Sequence, residues 1–319
     1  MMLYSSVKQG FMNGLHTTWT LGKVIFPVTL VVSLLQYTPV LPWLFDKMAP
    51  FMSVFGLSGE AAIPLVLGNL LNLYAGIGGI LTLELTVKEV FIIAVMLSFS
   101  HNLLIETSVA LKSGVKLWVV LSVRIGLALV AAFIINLLWP GGSEMAQYGL
   151  ITTNETAPVG IAAIFLHGLK KAVLGILQLA IIVIPLMIGI QILKDLKWLN
   201  VFTKWMAPVT RGLGMNENTA TVLTAGLIFG LAYGAGVLLQ AVKEDGVSKK
   251  DATLAFIFLV ACHAVFEDTL VFVPLGIPVF PLFMIRLCTA IALTLIVSKI
   301  WNRLGATVKR KGISYEAKY

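Results

Sequence analysis

The stretch Ser98–Gly114, "SFSHNLLIETSVALKSG", sets an imidazole and a carboxylate, His101 and Glu106, inside an apolar run. A second stretch, Val260–Gly276, "VACHAVFEDTLVFVPLG", repeats it in degraded form, with His263 and Asp268 at the matching places. On either side of this pair the two parts of the chain stay in register. Pro27 falls on Pro185, Met48–Pro50 on Met206–Pro208 and Gly56 on Gly214, all at an offset of 158. Gly68, Gly76 and Gly78 fall on Gly226, Gly234 and Gly236. After a four-residue insertion in "KEDGVSKKD" the offset becomes 162, and it pairs Thr107 with Thr269, Arg124 with Arg286 and Trp139 with Trp301. A repeat held over this length means one structural unit used twice.

Composition decides the class. Of 319 residues, 58% are hydrophobic and 12% charged, with a mean hydropathy of +0.95. So few charges cannot cover the surface of a soluble domain, and apolar runs of about 20 residues, enough to cross a hydrocarbon core, recur throughout. The net charge of +8 does not point to nucleic acid, because Lys and Arg sit in short loops and in the C-terminal "KRKGISYEAKY", where orientation signals lie. Cys262 and Cys288 fall in apolar segments and suggest no disulfide framework. The first apolar segment begins near Leu21 without a small-residue cleavage site and is expected to be retained. There is no G-x-x-x-x-G-K-[ST] and no HExxH.

These features predict an all-α integral membrane protein of about ten transmembrane segments in two inverted five-helix repeats, with discontinuous or Gly-rich helices near the midplane. The segments are placed near 19–36, 40–56, 61–82, 88–111 and 116–139, then 173–193, 198–213, 217–240, 251–273 and 279–302. The domains are 1–140, a first repeat; 141–160, an extracytoplasmic linker without Lys or Arg; 161–304, the second repeat; and 305–319, a basic cytoplasmic tail. An odd number of crossings per repeat turns the second upside down relative to the first. It also places the Lys-rich loops and both termini on one side, which the positive-inside rule makes cytoplasmic. The localisation expected is the inner membrane, multi-pass.

Ionisable groups inside a bilayer cost several kcal/mol unless paired or facing water. Glu106 and Arg124 are each nine residues from Val115, so at 1.5 Å per residue both lie roughly 13 Å from a turn there. Asp268 and Arg286 stand in the same relation to Ile277. Two supporting ion pairs are expected, and structural clamping within each hairpin is one reading of them. His101 and His263 have no opposite charge clearly spaced to satisfy both. Each alone could be a hydrogen-bonded core residue, but inverted repeats bring equivalent positions to a shared centre, where a substrate-binding or proton-coupling role opens. Glu267 is i+4 from His263 on one helix face, with Ile105 at the matching place in the first half. A metal set of His101, His263 and Glu267 is an alternative. On a regular helix His101 and Glu106 are about 140° apart, and both could ligate only if the helix breaks.

The third segments, "GNLLNLYAGIGG" and "GLIFGLAYGAG", carry Gly68, Gly76, Gly78, Gly226, Gly234 and Gly236. Such glycines serve close helix packing or mark broken helices around a midplane site. Asn69 and Asn72 add amides without an evident partner, so they join the candidate binding residues.

At "SHNLLIETSVALKSGVKLWVVLSVRIG" and "CHAVFEDTLVFVPLGIPVFPLFMIRL" the chain resembles the nucleoside-recognition or Gate domain family. That family includes spore-maturation membrane proteins, and related domains occur in ferrous-iron transporter B and in concentrative nucleoside transporters. The resemblance implies an inverted-repeat membrane fold and a transport-like role. No GTPase domain like the iron transporter's is expected, which weighs against iron transport. The expected function is a secondary permease, proton coupling included among the expectations, for a small polar solute such as a nucleoside. A divalent metal permease and a non-transporting structural or regulatory partner protein are the alternatives. No enzyme activity, no cofactor and no nucleic-acid partner are expected. The partners are the lipid bilayer and the solute, and a homo-oligomer is compatible with the sequence.

Overall fold

The computed structural model describes residues 2–112, 116–149, 158–244 and 246–310. The segment 150–157 of the expected linker and the tail from 311 onward lie outside the described residues, as does the Val115 turn. Every regular element described is helical, with one isolated antiparallel bridge between Thr86 and Met145.

Two long helices, α1 (Met2–Leu35) and α8 (Ile161–Asp195), pack together along their lengths. Small residues set the approach: a Cβ on Gly10 would lie 2.5 Å from Ile188 Cα, and one on Gly14 2.8 Å from Ile184 Cα. Gly168 faces Leu30 and Ser33. Numbers rise along one helix as they fall along the other, so the two run antiparallel. Glycine permits this spacing because a side chain would meet backbone, which cannot yield. The helix α1 starts at Met2, well before the expected 19, so the polar lead is part of it.

In the first half, α2 (Val40–Met52) is followed by two 3-10 turns and Gly56 at φ +69°. These turn the chain by 92° into α3 (Ala62–Leu70). The chain breaks at Leu71–Asn72 and α4 (Leu73–Ile80) doubles back. A Cβ on Gly76 would come 3.2 Å from Gly68 Cα, and one on Gly79 3.2 Å from Pro64 Cα. The third segment is therefore a helical hairpin, where a crossing was expected. Both its ends sit at the start of α5 (Val87–Ser100): Ser58 N–H, before α3, donates to Glu89 (2.8 Å), and α4 leads to Thr86, which caps α5 with Glu89 in a capping box. After α5 come α6 (Leu103–Lys112) and α7 (Leu117–Leu138).

The second half repeats these devices. Its elements are α9 (Trp198–Gly212), α10 (Ala220–Phe229), α11 (Leu231–Glu244), α12 (Lys249–Ala261), the single turn α13 (Glu267–Leu270) and α14 (Val279–Arg310). Gly230, at φ +94°, turns α10 into α11, and a Cβ on Gly234 would lie 2.7 Å from Gly226 Cα. Ser248 caps α12 and shares Asp251 with Asn216 (2.8 Å each), matching Thr86, Glu89 and Ser58. Gly56 lies against Asn136 as Gly214 lies against Ser298.

Among the described residues five helices are long and apolar enough to cross a membrane: Leu3–Leu35, Val87–Ser108, Leu117–Leu138, Ile161–Asp195 and Val279–Arg303. The bent pair Val40–Phe55 and Gly59–Leu70 would make a sixth. Of the five expected segments missing from these spans, those near 61–82 and 217–240 are hairpins of two short helices, those near 40–56 and 198–213 are the shorter helices α2 and α9, and the one near 251–273 is broken into α12 and α13. Large apolar side chains are left exposed on α7 and α14, Leu137, Leu138, Phe280 and Ile296 among them, the kind of surface that a membrane-spanning helix turns to lipid. The described part of the connector folds over the start of α5, where Val87 N–H bonds Glu144 O and Ala146 N–H bonds Leu85 O (2.9 Å each).

Candidate functional site

The site is made where two helices stop. The α5 ladder ends at Ser100, His101 is extended (φ −74°, ψ 161°) and Asn102 takes φ +50° before α6 begins. The backbone donor freed at the break finds a partner in the hairpin: Asn102 N–H bonds Gly68 O at 2.8 Å. In the second half Ala264 takes φ +42°, its N–H bonds Gly226 O at 3.1 Å, and Val265 N–H bonds Leu227 O at 2.7 Å. Each hairpin thus holds open the break in the helix beside it. The expectation of a continuous helix over 88–111 is corrected accordingly, and so is the 140° separation of His101 and Glu106 that followed from it.

Both histidines are buried, at 5% and 2% exposure, and their ring centroids are 5.3 Å apart. Each ring is pinned in the same way. His101 Nδ1 lies 2.6 Å from Leu97 O and His263 Nδ1 lies 2.7 Å from Leu259 O. A carbonyl can only accept, so this assigns the proton to Nδ1 and turns Nε2 to the centre in both rings. There His101 Nε2 is 3.2 Å from Glu106 Oε1, and His263 Nε2 is 3.6 Å from the same oxygen and 3.5 Å from Asp268 Oδ2. Glu106 therefore reaches histidines of both halves.

The two expected ion pairs are present. Arg124 and Arg286 are fully buried; Arg124 lies 2.7 Å from Glu106 Oε2 and Arg286 lies 3.1 Å from Asp268 Oδ2. Each guanidinium also takes up carbonyls left without partners where the helix stops. Arg124 donates to Phe99 O (3.0 Å) and His101 O (2.5 Å), and Arg286 to His263 O (2.6 Å). A cation at a helix C-terminus also suits the dipole there. The arginines brace the breaks, while the carboxylates lean toward the histidines. Among the buried polar atoms described without a hydrogen bond are His263 Nε2, Arg124 Nη1 and Glu106 Oε2; the last is near enough to Arg124 for an ion pair but off the hydrogen-bond direction.

The other named residues divide. Glu267 no longer shares a helix face with His263, since the chain is broken between them; it accepts a hydrogen bond from Tyr74 on α4 instead. Ile105, at the matching place, is exposed. Asn69 turns back to Leu65 O (2.8 Å), and Asn72 caps α4 by accepting from Ala75 N–H (2.9 Å), so both amides are used by their own hairpin. Gly68, Gly76, Gly226 and Gly234 make the hairpin contacts; Gly78 packs on Ile25 and Thr29, and a Cβ on Gly236 would meet nothing within 4 Å. One donor atom each from His101, His263 and Asp268 lie within 4.8 Å of one another, so Asp268 takes the place that the alternative metal set gave to Glu267. Sequence reasoning missed Tyr74 and Asn102. Nothing in the sequence marks Tyr74, whereas Asn102 is a residue type that tolerates the left-handed conformation.

The sequence profile of the Gate family, described as "Nucleoside recognition", matches residues 18–153 and 176–283. The chain belongs to the Gate family. It is also 63% identical over 294 residues to the uncharacterized membrane protein YvoD of Bacillus subtilis (strain 168), covering 92% of this chain and 94% of that protein. It is a helical, multi-pass membrane protein.

Proposed function

We propose that this Gate-family protein is a secondary permease for a small polar solute, of which a nucleoside is the first to test, and that its path runs between two inverted repeats. The observation that carries this reading is the meeting of His101 and His263, 5.3 Å apart, at two helix breaks held open by two hairpins. Broken helices with ionisable groups at the interface of repeats are how many secondary transporters build a midplane site. The antiparallel packing of α1 and α8, which occupy equivalent places in the two halves, supports the inversion. On this reading each half crosses three times, first by α1, α5–α6 and α7 and then by α8, α12–α13 and α14, while α2 and α9 lie along the surface. Three is odd, as five was, so the charge argument keeps its outcome. The chain ends, Lys112, Lys116, Lys194, Lys197, Lys249 and Lys250 share the cytoplasmic face of the inner membrane, and the connector lies opposite.

The test is uptake into proteoliposomes of labelled nucleosides, amino acids and organic anions, with a proton gradient imposed or collapsed. Saturable uptake of one class is expected, lost in His101→Ala and in His263→Ala while both variants elute as folded protein. Absence of flux for every class, with purification in a stable complex with another membrane protein, would overturn the reading in favour of a partner role.

A further inference from the structure

We propose that His101, His263, Glu106 and Asp268 form a binding site for a divalent first-row transition-metal ion. A tetrahedral ion with nitrogen and oxygen ligands at about 2.0–2.1 Å sets its donors about 3.3–3.4 Å apart. The edges between Nε2 of His101 and Glu106 Oε1, Nε2 of His263 and the same oxygen, and Nε2 of His263 and Asp268 Oδ2 are 3.2, 3.6 and 3.5 Å. Hydrogen bonds between an imidazolium and a carboxylate would draw in to about 2.7–2.9 Å. Three of the six edges of such a tetrahedron thus stand near ligand separation, and one donor atom each from His101, His263 and Asp268 lies within 4.8 Å of the other two.

The surrounding contacts suit the same occupant. Metal-binding imidazoles give their other N–H to a carbonyl or carboxylate, which fixes the ring and the tautomer. Both rings do so here, through Leu97 O and Leu259 O. Arg124 holds the far oxygen of Glu106 and leaves Oε1 to the histidines, and His263 Nε2 is a buried acceptor without a hydrogen bond. Two imidazoles with two carboxylates suit zinc, iron(II), cobalt or manganese, whereas magnesium and calcium prefer oxygen alone. Because each carboxylate is already matched by a guanidinium, an ion adds two positive charges to a buried cluster. Binding is therefore weaker than at structural zinc sites, which fits an ion that is picked up and released. Only this last point, the ion as cargo, rests on the permease reading.

The experiment is cobalt(II) binding to the purified full-length protein in detergent, followed by equilibrium dialysis with metal analysis and by visible d–d absorption, with X-ray absorption at the cobalt edge. One ion per chain is expected, with a tetrahedral spectrum, imidazole scattering and ligand distances near 2.0–2.1 Å. Affinity should fall at least about 100-fold in His101→Ala and in His263→Ala, beyond the 10–100-fold typical of outer contacts, and change less than about twofold in Glu267→Gln. No bound ion at millimolar cobalt, or binding that both histidine variants keep, would overturn the site. The X-ray absorption arm uses the unaltered protein, so an edge spectrum without imidazole also overturns it, whether or not the variants fold. Metal bound without metal flux in vesicles leaves the site and removes the cargo role. Nucleoside flux without metal binding removes the site and leaves the permease.

Discussion

Two glycines two residues apart on α11 should respond oppositely to the same substitution. At Gly234 an added Cβ would lie 2.7 Å from Gly226 Cα and 3.1 Å from both Gly226 N and Leu259 Cδ1; at Gly236 it would meet nothing within 4 Å. Ordinary carbon contacts are about 3.5–4.0 Å, so Gly234→Ala must push the hairpin arms apart by about 1 Å. The backbone of Gly226 cannot rotate away as a side chain would. Both substitutions gain up to about 1 kcal/mol of helix propensity, which cancels between them. What remains is the overpacking cost at 234, about 1–3 kcal/mol. At about 2–4 °C per kcal/mol for a mid-sized domain, Gly234→Ala should melt roughly 2–12 °C below Gly236→Ala. Intrinsic tryptophan fluorescence on heating the detergent-purified proteins measures this. The shift also acts on the site, since Gly226 O holds Ala264 N–H beside His263, so Gly234→Ala should bind cobalt more weakly than Gly236→Ala. Equal melting temperatures would refute the hairpin.

Three further outcomes follow from the buried cluster. Arg124→Ala strands Glu106 in the interior and should cost about 3–5 kcal/mol, seen as loss of folded protein on gel filtration, with Arg286→Ala behaving alike. Asn102 at φ +50° should accept Gly almost without change in melting temperature, whereas Asn102→Val, β-branched in a left-handed conformation, should lose about 1–3 kcal/mol. Tyr74→Phe removes the bond from α4 to Glu267 without touching the histidines; solute uptake should change while cobalt affinity stays within about twofold, read by the two assays side by side.

Much of this was legible in the sequence, and the residues explain what was not. The repeat offsets brought out the ion pairs, because depth along a helix follows from counting residues, and Glu106 with Arg124 and Asp268 with Arg286 meet as counted. The histidines at the two repeat-matched positions stand side by side, their ring centroids 5.3 Å apart. The breaks beside them were hidden. Neither Asn102 nor Ala264 is a proline or glycine, and the left-handed turn at each is held by a hydrogen bond that its N–H donates to a carbonyl more than thirty positions away, that of Gly68 or Gly226. Local sequence carries no trace of such a bond. The direction of the third segment was hidden for another reason: α3 and α4 are as apolar together as one crossing, and hydropathy does not record whether the chain continues or returns. The fate of Asn69 and Asn72 followed, since a hairpin tip gives amides backbone groups of its own to bond.

The convergence of the two halves can be measured directly. In a chain carrying Cys262→Ala and Cys288→Ala, the pair His101→Cys and His263→Cys is treated with the shortest bifunctional methanethiosulfonate. Ring centroids 5.3 Å apart predict an internal crosslink between the halves, read as a band that survives cleavage of the connector until reductant is added. If each thiol reacts singly and the halves still separate, the two histidines do not share a site.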